Sequence, residues 1–314
     1  MLFKKLLSIS MAVLATASTV QAAPTSKVTA AVAGQAFDHV FMIFLENTDY
    51  ALAYSDPSFQ SLLSSGILLN NYHALTHPSE PNYIASIAGS YYGVNNDGTY
   101  NFDSSYTSIV NLLEAKGLTW KTYQESMPSV CYTDSSYKSL YYRKHNPFIS
   151  HQYISTNAAR CKNVVPSTQL TTDLNNNALP NYSFFTPNIK NDGHDTTVGY
   201  AGKWLVNFLS PLLKNPAFIS NTLVVVTFDE AEDYTDETNH VLALLLGDSV
   251  SSLKNTVDST YYTHYSLLST LESNWGLGNL GRGDVNKQLS NVFSFVAAKT
   301  GYQNVNVTNP PPLN

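Results

Sequence analysis

The chain has 314 residues, of which 13% are charged, and its 23 Asp and Glu residues outnumber its 17 Lys and Arg residues. This length is enough for one large α/β domain or for two small ones. The acidic balance, without a cluster of Lys or Arg, argues against binding to nucleic acid or to an anionic membrane surface.

The N-terminus has the pattern of a cleaved secretory signal. Lys4 and Lys5 precede a short apolar run that is interrupted by serines, and small residues follow up to Ala22. The run is shorter than the ~20 residues that span a bilayer, so a signal peptide is favoured over a membrane anchor. We therefore expect a secreted protein, extracellular or in the cell wall. The expected segments are a signal peptide over 1–22, a pro-segment or tail over 23–35, a single domain over 36–300 and a Pro/Asn-rich tail over 301–314.

Short, nearly continuous apolar runs predict strands that are buried on both faces. They lie at 40–45, 67–72, 118–123, 182–185, 222–228 and 241–246. Segments with helical spacing of apolar residues alternate with them, at 57–63, 81–89, 107–116, 198–213 and 265–275. This alternation predicts an α/β fold with a mostly parallel central sheet and helices on both faces.

Polar side chains follow three of the predicted strands. Glu46 and Asn47 follow the first, Asn188 follows the fourth, and Asp229 with Glu230 follows the fifth. In open α/β sheets, ligands bind in the crevice beyond the carboxyl ends of the strands. One such residue could be a plain turn residue, but three strand ends that carry acids or amides predict a site.

These residues suit phosphoryl transfer. Glu46, Asn47, Asp229 and Glu230 are hard oxygen ligands for one divalent cation, with Mg, Ca or Mn favoured over Zn. A cation held there would lower the pKa of a nearby serine hydroxyl, and Ser79 lies just before Pro81, at a predicted helix start where backbone N–H groups can receive a phosphate.

Three histidines lie in polar surroundings and are candidates for the site: His77, His194 and His264. For a lone histidine a structural role is the more frequent one. His194 has the stronger case, because Asp192, Gly193 and Asp195 surround it on a predicted tight turn.

The two cysteines and two sequons fit an oxidising, extracellular setting. Cys131 and Cys161 are predicted to form one disulfide that closes a loop of about 30 residues. Asn181 and Asn306 each begin a glycosylation sequon, although the first directly precedes a predicted core strand.

Four blocks of this sequence resemble the signature blocks of the phosphoesterase family. They are HVFMIFLEN at 39–47, THPSEPNY at 76–83, TPN followed by DGHD at 186–195, and TFDE at 227–230. The family holds fungal and bacterial acid phosphatases and bacterial phospholipases C, within the alkaline-phosphatase-like superfamily. Two further segments, at 142–148 and 264–276, are similar to the fungal secreted acid phosphatases.

The resemblance implies an alkaline-phosphatase-like fold and gives roles to single residues. Ser79 matches the nucleophile that becomes phosphorylated, and Asn82 matches an amide that binds a phosphate oxygen, with His77 as a further substrate-binding candidate. His194 and His264 match metal ligands of two-zinc relatives.

This chain departs from those two-zinc relatives at two places. It has Glu46 and Asn47 where they begin with Asp, and Asp229 and Glu230 where they have Asp and His. Both departures favour one hard cation. We therefore expect the two histidines to act on the substrate, with His264 binding phosphate oxygens and His194 protonating the leaving group.

The favoured function is a secreted acid phosphatase that hydrolyses small organic phosphate monoesters through a phosphoserine intermediate. An alternative is a phospholipase C-type phosphodiesterase that uses the same site. An alternative of another class is a non-catalytic, wall-associated binding protein.

Overall fold

The computed structural model describes residues 33–313. The predicted signal peptide and most of the predicted pro-segment lie outside the described residues. The strands and helices, in chain order, are β1 His39–Leu45, α1 Tyr50–Ser55, α2 Pro57–Leu63, β2 Ile67–His73, α3 Ser79–Ala88, α4 Ile109–Ala115, β3 Trp120–Gln124, β4 Ser136–Tyr137, β5 Tyr141–Tyr142, α5 Pro147–Ser150, α6 Gln152–Ser155, α7 Ala158–Cys161, β6 Val164–Pro166, α8 Gln169–Asn175, β7 Tyr182–Thr186, α9 Val198–Leu212, α10 Pro216–Ile219, β8 Thr222–Phe228, β9 His240–Leu246, β10 Thr256–Asp258, β11 Tyr262–Thr263, α11 His264–Trp275 and α12 Ser294–Thr300. Short 3₁₀ turns lie at Arg143–His145, Asp248–Leu253 and Gly283–Val285.

Nine strands form one sheet in the order β10-β2-β9-β8-β1-β7-β3-β6, with β11 also paired to β2. Strand β1 is central and pairs in parallel with β7 and with β8. Strand β9 runs antiparallel to both β2 and β8, whereas the other pairings in this sheet are parallel. The predicted α/β fold with a mostly parallel sheet is therefore confirmed.

The two central strands are buried because both of their faces are apolar. All seven residues of β8 are buried, as are six of the seven residues of β1. On one face Phe41 packs near Phe185 and Phe218, and on the other Phe44 packs near Phe184. This burial is the main stabilising contribution that the continuous apolar runs of the sequence provide.

The strand directions bring four chain segments to one edge of the sheet. Strands β1, β2, β7 and β8 all run the same way, so the residues that follow them emerge at the same edge. Those residues are Glu46 after β1, the turn to Ser79 after β2, Asn188 after β7 and Asp229 after β8. This edge is the crevice that the sequence predicted.

Each predicted strand and helix is present with ends that differ by at most two residues, and the structure adds further elements such as β6, β10 and α8. Helix α3 begins at Ser79 rather than at Pro81, so the serine belongs to the first helical turn. The region between Cys131 and Cys161, for which the sequence predicted no strand or helix, contains a small hairpin and three short helices. The division into one domain over 36–300 and flanking tails stays a prediction.

None of the helices in residues 33–313 has the length and hydropathy of a membrane-spanning segment.

Candidate active site

Ser79 is surrounded by side-chain oxygens at the carboxyl edge of the sheet. Its hydroxyl oxygen lies 3.1 Å from Glu46 Oε2, 2.9 Å from Glu230 Oε1 and 3.4 Å from Asn47 Oδ1. The serine is only 1% exposed. Because β1 and β8 are neighbours, the residues that follow them converge on the helix start that carries Ser79.

Asp229 supports the residues around Ser79 through hydrogen bonds to their backbone. Its Oδ1 accepts hydrogen bonds from the backbone N–H of Asn47, at 3.2 Å, and from that of Glu230, at 2.8 Å. Its other oxygen, Oδ2, is buried and has no hydrogen-bond partner within the described part of the chain. Three of the four predicted metal ligands, Glu46, Asn47 and Glu230, therefore lie around the Ser79 hydroxyl, and Asp229 bonds to the backbone of two of them.

The carboxylates are crowded and shielded from water. Burial raises the pKa of Glu46, and it holds the pKa of Asp229 and of Asp192 well above the usual range. The negative charge of Glu46 raises the pKa of both aspartates further. Like-charged buried groups of this kind are stable as anions only beside a compensating cation. The oxygen donors and the buried Asp229 Oδ2 have the chemistry that suits one divalent metal ion, but Asp229 and Glu230 are not in the group of described residues whose ligand atoms lie within 4.8 Å of one another.

A second group of possible ligands shares Glu46. His145 Nε2 lies 3.1 Å from Glu46 Oε1, and His145 Nδ1 lies 3.6 Å from Asp192 Oδ2. These three buried residues form a group that can hold a metal ion, with ligand atoms within 4.8 Å of one another. Tyr83 stacks on the His145 ring and donates a hydrogen bond of 2.6 Å to Glu46 Oε1.

Sequence reasoning did not find the roles of His145, Tyr83 and Asp192. Tyr83 and Asp192 belong to blocks quoted for the resemblance, and His145 belongs to the segment at 142–148. Their position in these blocks is the only feature of the sequence that points to the three residues, because the sequence spacing does not show that His145 would reach Glu46.

His77 lies beside Ser79 and contacts Glu230. Its Nδ1 contacts Glu230 Oε2, and its ring stacks on Tyr234 with centroids 4.0 Å apart. Its Nε2 is buried without a hydrogen-bond partner among the described residues. The structure thus brings His77 to the site and leaves one ring nitrogen for another group.

His194 lies on the open side of the site. Its Nδ1 lies 2.9 Å from Asp195 Oδ1, and its backbone N–H donates to Asp192 Oδ1 at 2.9 Å. The side chain is 34% exposed and lines a cavity of about 360 Å³ that Asn47 also lines. His194 can therefore meet a substrate that enters beside Asn47.

The His264 side chain does not face the Ser79 hydroxyl, although the sequence predicted that it would bind phosphate oxygens. It is fully buried, with Nε2 2.7 Å from the Asp229 carbonyl oxygen and Nδ1 3.1 Å from the Tyr72 hydroxyl. Burial lowers its pKa to about 4, so the ring is neutral. Both nitrogens are bonded within the protein, and the predicted role in phosphate binding is corrected to a structural one.

The side chain of Asn82 also forms its hydrogen bonds within the protein. Its Oδ1 accepts the backbone N–H groups of Leu75 and Thr76, and its Nδ2 donates to the carbonyl oxygen of Thr76 at 2.7 Å. The residue is fully buried. Asn82 therefore stabilises the turn that presents Ser79, which corrects its predicted contact with substrate.

Asn188 stays outside the group around Ser79. Its backbone N–H donates to Glu125 Oε2 at 2.9 Å, and its own Oδ1 accepts from the backbone N–H groups of Lys190 and Asn191. It shapes the turn that leads towards Asp192.

The disulfide prediction is confirmed, since Cys131 and Cys161 are bonded. One glycosylation prediction is wrong: Asn181 is 1% exposed, and its side chain bonds to Thr119 and Asp38, so a glycan has no room. Asn306 is exposed, and its modification stays a prediction.

Comparison with known proteins gives the family. The phosphoesterase family model matches residues 53–278. A probable acid phosphatase of Kluyveromyces lactis is 44% identical over 92% of this chain and 70% of its own length. A phosphate-repressible acid phosphatase of Penicillium chrysogenum is 41% identical over 90% of this chain and 71% of its own.

A solved structure from Vibrio parahaemolyticus, of a protein in the alkaline phosphatase superfamily, shares the fold. It aligns with a TM-score of 0.52 at 12% identity and covers 79% of this chain and 69% of its own. The fold is thus of the alkaline-phosphatase type. The chain belongs to the phosphoesterase family, as its sequence blocks predicted.

Proposed function

We propose that this chain is a secreted acid phosphatase that hydrolyses small organic phosphate monoesters through Ser79. The observation that carries the proposal is the serine hydroxyl within 3.4 Å of Glu46, Asn47 and Glu230 oxygens, at a helix N-terminus. The names of the two fungal relatives support phosphomonoesterase activity. The disulfide supports secretion, because such bonds persist in oxidising compartments.

One divalent cation would be held by Glu46, Asn47, Asp229 and Glu230 beside Ser79. When bound, it supplies positive charge that lowers the pKa of the serine hydroxyl and neutralises phosphate oxygens. The oxygen-rich donor set favours Mg, Ca or Mn over Zn. The group of Glu46, His145 and Asp192 offers a nitrogen ligand as well, so the identity of the metal is a matter for experiment.

The protein residues have separate tasks in the first step. Glu230 accepts the hydrogen bond of the Ser79 hydroxyl and aligns its oxygen, while His77 holds Glu230 in place. Ser79 Oγ gives its proton to Glu230 as it forms a bond to phosphorus, and the bond from phosphorus to the ester oxygen breaks. His194 gives a proton to the departing oxygen, and Asp195 orients the His194 ring.

In the second step the same groups act in reverse. His194, now neutral, takes a proton from water as the water oxygen bonds to the phosphorus on Ser79. The bond between phosphorus and Ser79 Oγ breaks, Ser79 Oγ takes its proton back from Glu230, and inorganic phosphate leaves.

The test is turnover of an aryl phosphate against a bis-aryl phosphate by chelated protein, with each divalent metal restored in turn. We expect metal-dependent release of phosphate from the monoester, and recovery of phosphoserine at position 79 after acid quenching. Ser79→Ala should lose both. Ser86→Ala is the matched control, because Ser86 lies in the same helix and bonds only to the Tyr83 carbonyl oxygen among the described contacts.

Preference for the bis-aryl phosphate would instead favour the phosphodiesterase alternative. Absence of turnover with every metal would favour a binding protein.

A further inference from the structure

Lys144 places a positive charge beside the acidic site. It lies in the 3₁₀ turn Arg143–His145, directly before the residue that contacts Glu46. The neighbouring Arg143 has a structural role, because its guanidinium donates hydrogen bonds to the carbonyl oxygens of Tyr100 and Thr133. The Lys144 ammonium donates to Asp97 Oδ2 at 2.8 Å. An ammonium has three N–H donors, so Lys144 keeps capacity for another acceptor.

Asp97 joins Lys144 to the helix that carries the serine. Its Oδ2 accepts from Lys144, and its Oδ1 accepts from the backbone N–H of Glu80 at 3.0 Å. Glu80 directly follows Ser79 in α3. Asp97 therefore fixes the ammonium relative to Ser79, and it also occupies a backbone N–H that would otherwise be available to a phosphate.

The charge of Lys144 acts on the carboxylates of the site. It lowers the pKa of Glu46 and of Asp192 against the opposing effect of burial. Burial acts to lower the pKa of Lys144 itself, but the charge of Glu46 and the bond to Asp97 outweigh that effect, so Lys144 stays protonated. Its side chain is 15% exposed, whereas Glu46 is fully buried. Lys144 thus lies at the border between the site and solvent.

We propose that Lys144 binds a non-bridging oxygen of the phosphate at Ser79, with Asp97 as its positioning residue, and that this contact favours monoesters over diesters. The inference rests on the proposed function. A monoester near pH 7 is largely a dianion, whereas a diester has one charge and one fewer non-bridging oxygen. A fixed ammonium therefore stabilises the bound monoester more strongly.

The experiment compares Lys144→Met, Lys144→Arg and Asp97→Asn with the parent at pH 7, in saturating metal. Both kcat/KM values, for an aryl phosphate and a bis-aryl phosphate, are measured with each protein. Loss of a charged hydrogen bond should lower the monoester value about 10- to 100-fold in Lys144→Met and the diester value by no more than about threefold. Lys144→Arg should keep most of the parent's ratio of monoester to diester kcat/KM. The ratio of Asp97→Asn should lie between those of Lys144→Arg and Lys144→Met.

Binding of inorganic phosphate and of dimethyl phosphate, measured by calorimetry, makes the inference testable whichever ester the parent prefers. Lys144→Met should weaken phosphate binding by the same 10- to 100-fold range while dimethyl phosphate changes little. Lys138→Met is the control, because Lys138 is exposed on the nearby hairpin and contacts the Tyr137 ring. Metal content and melting temperature are recorded for each variant.

Equal losses for monoester and diester, or unchanged phosphate binding in Lys144→Met, would overturn the inference. Loss of bound metal with equal effects on both esters would show that Lys144 merely neutralises the carboxylates. A parent that lacks monoester turnover would count against the proposed function instead, and the calorimetric comparison would still decide the role of Lys144.

Discussion

Glu272 is a buried carboxyl group that does not belong to the group around Ser79, and it makes the stability of this protein depend on pH. It lies in α11, is 7% exposed, and faces Asp284 in the 3₁₀ turn Gly283–Val285. Burial, with a further contribution from the charge of Asp284, raises the pKa of Glu272 from 4.5 to about 9. The charge of Arg282 lowers it only in part. The folded protein therefore keeps a proton on Glu272 at neutral pH.

The direction in which stability changes with pH depends on whether the folded or the unfolded chain holds the proton on Glu272. Below about pH 4.5 the carboxyl is protonated in both the folded and the unfolded chain, so Glu272 adds no pH dependence there. As pH rises towards 9, the unfolded chain gains stability by releasing the proton while the folded chain does not. Each pH unit in this window lowers the free energy of unfolding by up to about 1.4 kcal/mol. From pH 5 to pH 7 the loss is up to about 3 kcal/mol.

Glu272→Gln should remove this dependence, because its amide stays neutral and can donate to Asp284 as the protonated acid does. Urea unfolding of the variant and the parent is followed at pH 5, 6, 7 and 8. Between pH 5 and pH 7, the free energy of unfolding of the variant should rise by about 2–3 kcal/mol relative to that of the parent. Glu237→Gln, at an exposed position, is the control for loss of a charge. A difference between Glu272→Gln and the parent that does not change with pH would refute the reasoning.

Three further predictions concern the site and the disulfide. Ser79→Ala should lower kcat at least about 10³-fold and still bind inorganic phosphate by calorimetry; activity within tenfold of the parent would contradict a covalent mechanism. His194→Ala should lose about 10²-fold or more on an alkyl phosphate and much less on a nitrophenyl phosphate, whose leaving group needs no proton; equal losses together with a lost metal ion would make His194 a ligand. Reduction of the Cys131–Cys161 bond should cost about 3 kcal/mol of stability in urea unfolding, and two alkylatable thiols in the unreduced protein would show that the bond is absent.

The apolar pattern and the residues at the strand ends are sufficient to predict the sheet and the group of oxygen-bearing side chains near Ser79. The apolar runs at β1 and β8 are continuous because both faces of a central strand are buried, and that pattern is visible without coordinates. The polar residues at strand ends are equally visible, and parallel strands bring their carboxyl ends to one edge. Glu46, Asn47, Asp229 and Glu230 were therefore predictable as a group around Ser79.

The direction in which individual side chains point depends on how the folded chain packs. The sequence places both His264 and His194 among polar residues and predicts that both act on the substrate. The start of α11 packs inside the protein, so the His264 ring is held between Asp229 and Tyr72, whereas His194 lies on an exposed turn. Lys144 and Asp97 lie 47 residues apart, and their contact depends on how two loops fold over α3. Sequence periodicity reports which face of an element is apolar, but contacts between distant loops are set by packing, and only the folded chain shows them.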